Sequence, residues 1–116
     1  MHLEEIRTYC LNKKAVEETF PFDQSTLVFK VMGKMFALCD VDNFTSVNLK
    51  CLPDRAIELR EFYHGIILGY HMSKVHWNTV AVNSDVPNAL ILELIDHSYD
   101  LVVASLPKKI QNELAH

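Results

Sequence analysis

The chain predicts an α+β fold of two layers, an antiparallel sheet of four to five strands with helices packed on it. Three observations carry that expectation. Stretches of alternating apolar and polar residues succeed one another from Ser25 to Cys51 with no helical pattern between them. Segments with apolar residues at helical spacing stand before, after and beyond them. A doubly wound parallel fold would need strands and helices to alternate throughout, and here they do not. At 116 residues the chain fits a single domain over 1–116, large enough to bury a core without staples.

His2 to Lys13 reads as the first helix. Leu3, Ile6 and Cys10 share a face, Glu4 and Glu5 sit in the first turn, and Lys13-Lys14 closes it, which suits the helix dipole. Val16 to Asp23 reads as a connector in which Phe20-Pro21-Phe22 pins the helix onto the next segment of chain. Thr26–Val31 and Lys34–Cys39 form a hairpin, with Gly33 supplying the positive φ of the turn. Ser46 to Cys51 is a third strand, with Val47, Leu49 and Cys51 on one face and Ser46, Asn48 and Lys50 on the other.

Pro53 opens the second helix, where its missing N–H costs nothing. Ala56, Leu59 and Tyr63 make the buried stripe, and Gly65 is expected to end it in the left-handed conformation. A short strand around Ile66 to His71 and a longer one from His76 to Val82 come next. Asn88 to Leu106 is the last helix, with Ile91, Ile95, Tyr99, Val102 and Leu106 inward and Glu93, His97 and Asp100 on its wet side. Residues 107–116 read as a frayed tail.

The balance of 11 basic against 15 acidic residues, net −4, disfavours broad adhesion to nucleic acid or anionic membrane but permits a local patch. Cys10, Cys39 and Cys51 are odd in number, form no C-x-x-C pair and lie in apolar contexts. They are expected to be reduced, buried thiols, and the protein cytoplasmic. The charged start cannot be the apolar region of a signal peptide, and no apolar run approaches membrane-spanning length.

One stretch stands out. No Asp or Glu occurs from Phe62 to Ser84, where this composition would place about three. The same span holds the single Trp, Trp77, with Tyr70, His71, Lys74, His76 and Asn78 around it. Lys50 and Lys74 offer phosphate contacts, Trp77 a stacking ring, and His76 and Asn78 base-edge hydrogen bonds. The plainer reading makes Trp77 a core anchor and Lys74 a solvated loop tip.

Other chemistry is poorly supported. No glycine pattern suits a phosphate loop, so no nucleotide cofactor is implied. His71 and His76 are five apart with no nearby Cys or carboxylate, a poor metal set. Asp96-His97-Ser98 resembles a triad only as letters, because successive helix residues fan out by about 100°. No enzyme activity is expected.

The chain resembles the MmcQ/YjbR family of small bacterial proteins from Ile6 to about Lys109. The residues that carry the likeness are Phe20-Pro-Phe22, Thr26–Val31, Gly33–Leu38, Val47–Lys50, Gly69–Met72, Lys74, His76–Thr79 and Leu94–Val102. The resemblance implies the order α-β-β-β-α-β-β-α, a layout similar to secretion chaperones, and a double-wing mode of DNA binding without enzymatic activity. Carried onto this chain, it places Lys50, His71, Lys74, His76 and Trp77 on the binding face. Val75 and Ser73 depart from the basic residue and Asn common there, leaving this loop less charged. The expected function is DNA binding or regulation through Lys50 and the Tyr70-to-Asn78 stretch. The alternative is a protein partner on the same face.

Overall fold

The computed structural model describes residues 1–69 and 72–115; Tyr70, His71 and His116 lie outside the described residues. The elements run α1 (Leu3–Leu11), β1 (Val16–Thr19), β2 (Thr26–Val31), β3 (Lys34–Asp40), β4 (Ser46–Lys50), α2 (Pro53–Phe62), β5 (Ile66–Leu68), β6 (Trp77–Ala81), α3 (Asn88–Ala104) and α4 (Lys108–Ala115). All strand pairings are antiparallel, in one six-stranded sheet of order β1-β2-β3-β4-β6-β5. The α+β class and the order of elements are as the sequence predicts, with one strand and one helix more.

The extra strand is β1, where a connector was expected. Two glutamates in four residues gave no strand signal. The chain reverses after α1 through Ala15 at φ 60°, and Val16 then pairs with Val31. Glu18 faces the helices and accepts a hydrogen bond from Arg7 Nε at 2.6 Å, so one charge is neutralised within the packing. The extra helix is α4, where a frayed tail was expected. Leu114 packs against the core, and Gln111 Nε2 donates to the carbonyl of Leu106 at 2.6 Å.

The hairpin turns on Met32 at φ 49° and Gly33 at φ 81°, so both central residues adopt the positive φ that matches strand twist. A bulge interrupts the pairing beyond the turn. Phe29 pairs with Ala37 but Lys30 with Met35, leaving Phe36 unopposed. Consequently Phe36 and Ala37 both enter the core while Met35 turns to the other face.

The core lies between the sheet and the helices. Ile6 and Cys10 from α1 and Ile91, Leu94, Ile95 and Val102 from α3 pack on Phe29, Val31, Val47, Leu49 and Val80. Helix α3 lies across β2, β3 and β4, and α2 lies beside β5. Ser98, wholly buried, replaces a missing rung of the ladder. Its hydroxyl donates to the carbonyl of bulged Phe36 at 2.5 Å and accepts from the N–H of Lys50 at 2.9 Å. His97 is not fully on the wet side as expected, because its Nε2 accepts from the N–H of Leu52 at 3.3 Å.

Gly65 does not close α2 in the left-handed region; Tyr63 ends that helix at φ −113°. Glycine at 65 leaves room for Ser84 and Asp85, since a Cβ there would stand 2.9 Å from Ser84 Cβ and from Asp85 Oδ1. Its N–H and that of His64 both donate to the Asp85 carboxylate at 2.7 Å.

Candidate nucleic-acid interface

The face of the sheet opposite the helices is set by strand alternation. One row across it reads Thr19, Val28, Leu38, Asn48, Thr79, Ile67, and the next toward the hairpin tip holds Lys30, Met35, Lys50 and Trp77. Val28, Leu38 and Trp77 form a second, smaller apolar cluster there, roofed by Met35 and by Met72 from the β5–β6 connection. Asn48 Oδ1 accepts from Thr79 Oγ1 at 2.5 Å beside it.

This face is polarised along the strands. At one end lie the β2–β3 turn and the β5–β6 connection, with Lys30, Lys50, Lys74 and His76 and, at the turn itself but paired with core-facing Val31, Lys34. Glu17 of β1 stands opposite Lys30 on the same face. None of these four lysines makes an ion pair among the described residues. At the other end Asp23, Asp40 and Asp42 gather around Ser25 and Thr26. Backbone N–H donation from Thr26 and Ser25 holds the Asp23 carboxyl below its ordinary range. The two tips are three strand spacings apart in the sheet order. At about 4.8 Å per spacing they stand roughly 14 Å from each other, close to the ~12 Å width of a B-DNA major groove.

The site residues expected from sequence divide into four groups. Lys50, Lys74 and His76 reach the basic end, with His76 and Lys74 exposed. Trp77 faces the same side but is only 8% exposed, so its ring anchors the second apolar cluster and is not free to stack on a base. Asn78 is a correction. As the next residue of β6 it points to the helix side, 2% exposed, where Arg60 Nη1 donates to its Oδ1 at 2.7 Å and its Nδ2 donates to the Ala56 carbonyl at 3.3 Å. Period-two alternation forbids adjacent strand residues from sharing a face. Tyr70 and His71 lie outside the described residues.

Lys30 and Lys34 are functional candidates that the sequence pattern did not single out. A signal existed for Lys30: it alternates with Val28 in β2, so it shares a face with whatever Val28 faces. That Val28 looks away from the main core could not be told from the chain, since both faces of β2 are apolar.

Among the described residues no three His, Cys, Asp or Glu converge as a metal site requires. The three thiols are unpaired and buried, and burial pushes those of Cys10 and Cys39 up to about 12. Asp96, His97 and Ser98 diverge: Asp96 takes Tyr9 of α1 and Lys13 just beyond it, His97 turns to Leu52, and Ser98 enters the sheet. Among the described residues no helix is long and apolar enough to cross a membrane.

The family model described as YjbR matches residues 11–101. The uncharacterised protein YbdF of Escherichia coli O157:H7 is 34% identical over 112 residues, covering 96% of this chain and 92% of its own. The uncharacterised protein YjbR of Escherichia coli strain K12 is 32% identical, covering 94% and 93%. The crystal structure of Deinococcus radiodurans DR2400, a DUF419 domain, superposes with a TM-score of 0.91 at 39% identity, over 97% of this chain and 87% of that one. A Pseudomonas syringae crystal structure gives 0.74 at 27% identity, over 87% and 98%.

Proposed function

The chain belongs to the YjbR family, and on that premise we propose that it is a non-catalytic DNA-binding protein that grips the phosphate backbone with the basic end of its open face. One observation carries the reading. Lys30, Lys50 and Lys74, without ion-pair partners among the described residues, lie toward the end of the face that carries both loop tips, with Lys34 at the hairpin turn. Asp23, Asp40 and Asp42 gather at the far end, and Glu17, opposite Lys30, is an acid these cations must outweigh. With Trp77 buried and Asn78 turned inward, the interface holds phosphate contacts and lacks those base-reading groups. Binding is therefore weak and indifferent to sequence.

A titration of duplex DNA at several salt concentrations tests this. Two to four neutralised phosphates give a log–log salt slope of about −2 to −4. Lys50→Ala and Lys74→Ala should each flatten it by about one unit, equally on unrelated sequences. If the variants bind like the parent, or nothing binds at low salt, the proposal fails.

A second reading has its own support at the opposite end of the face. A cleft of about 450 Å³ is lined by Phe22, Leu38 and Met72 with Asp23 and Asp40 at its rim, and Phe22 is 64% exposed. Apolar walls beside carboxylates suit a basic segment of a partner protein. Such a complex would persist where DNA contacts are screened, and Phe22→Ala would weaken it while leaving the DNA slope unchanged.

A further inference from the structure

The two edges of the sheet are built differently. On β1 the edge residues include Glu17 and Glu18, charges of the kind that discourage strand addition. On β5 the residues are Ile66, Ile67 and Leu68, with Ile67 55% and Leu68 45% exposed. The strand itself contains no charged residue and no proline.

Its backbone is free as well. Gly69 N–H donates to Trp77 and Ala81 N–H to Gly65, which fixes the alternation so that Ile66 and Leu68 direct their amides away from β6. Ile66 N–H is taken by the Tyr63 carbonyl at 3.3 Å. The N–H and carbonyl of Leu68 meet no partner among the described residues. A groove of about 820 Å³ runs along the edge, with Ile67, Leu68 and Met72 as apolar lining and Arg60 and Lys74 as its charges. Neither cation has an acidic partner among the described residues; Arg60 uses one nitrogen on Asn78.

We propose that β5 captures an extended peptide strand that adds antiparallel to its free edge, with acidic residues at the N-terminal end of the guest and apolar ones after them. The orientation is dictated by topology. Strand β5 runs toward the loop tips, so an antiparallel guest begins at the Arg60 and Lys74 end, where carboxylates are complemented, and continues past Leu68 and Ile66. Main-chain bonds to Leu68 supply attachment, and the two cations set direction and preference. This site is separate from the DNA reading: Lys50 takes no part, and only Lys74 belongs to both.

The test uses the full chain and a labelled peptide, Asp-Glu-Val-Thr-Val-Thr, with fluorescence anisotropy as the readout. Saturable binding is expected, together with at least tenfold slower hydrogen exchange of the Leu68 amide. Replacing the two acids of the peptide by lysines, or Lys74→Glu in the protein, should weaken binding about tenfold or more, the equivalent of roughly 1.4 kcal/mol. Leu68→Pro, which removes an N–H the sheet does not use, should abolish it, while Lys50→Ala should leave it unchanged. Should the proline variant fail to fold, Leu68 exchange in the parent decides alone. Equal binding of the lysine-headed peptide, an unprotected Leu68 amide in the complex, or loss of binding in Lys50→Ala would overturn the proposal. So would a concentration-dependent dimer that protects Leu68 without peptide, since a second copy would then own the edge. The DNA salt slope of Leu68→Pro should match the parent, which keeps the two proposals distinguishable.

Discussion

Trp77 shows how one residue can serve the site while staying out of it. Its indole fills the space between Val28, Leu38, Met35 and Met72, and so ties the β5–β6 connection to the sheet. Trp77→Ala should cost about 3–5 kcal/mol of stability, read by chemical denaturation, because the cluster is too small to collapse around the void. A parent-like midpoint would mean the ring contributes no packing. The thiols make a second prediction at this scale. Burial first, and the neighbouring Cys39 second, raise Cys10; burial first, then Asp40, raise Cys39. All three cysteines should resist alkylation at pH 8 until the chain is unfolded, and a reducing agent should leave the thermal midpoint where it was.

Among the elements, α3 does most to hold the sheet in shape. Ser98 bridges the gap that the bulge opens between β3 and β4, so Ser98→Ala leaves the Phe36 carbonyl and the Lys50 N–H without their partner. The expected loss is about 1–3 kcal/mol by denaturation, with Lys50 amide exchange accelerated in the same variant. Next to it in the helix, His97 carries a pH dependence. Burial chiefly, then Arg55, lowers its pKa, with Glu93 and Asp100 opposing. The unfolded imidazole therefore takes up its proton at higher pH than the folded one. This contribution is complete above the ordinary histidine value of about 6.5 and is lost as pH falls through the depressed folded value. Melting curves from pH 7.5 to pH 5 should fall more steeply for the parent than for His97→Gln.

At the scale of the whole molecule the proposed DNA binding depends on how charge is arranged along the open face. Thr26, at the acidic end of β2, and Lys30, at its basic end, are four residues apart, about 13–14 Å. That distance exceeds the ~8 Å screening length at 0.15 M salt and lies well inside the ~30 Å length at 0.01 M. Asp40→Asn keeps an acceptor for the N–H groups of Asp42 and Asn43 while removing a charge. It should tighten DNA binding at 0.01 M salt and leave it unchanged at 0.15 M. An equal effect at both would place Asp40 at the contact itself.

The sequence by itself determined the elements with strong periods: α1, the β2–β3 hairpin, the alternation of β4 and the long apolar face of α3. It also marked Lys74 and His76 through the acid-free stretch that holds them, which is a local fact, whereas the pairing of Lys50 with Trp77 is a matter of β4–β6 register. Only the tertiary structure decided that β1 is a strand, because Val16-Glu-Glu-Thr has no strand preference until Val31 and Arg7 receive it. It likewise decided that Phe36 and Ala37 share a face, that Asn78 belongs to Arg60, and that Lys30 joins the basic end. These depend on register, on a bulge and on which apolar face of β2 meets the helices. Such choices are made by packing between segments far apart in the chain, and no window of sequence contains them.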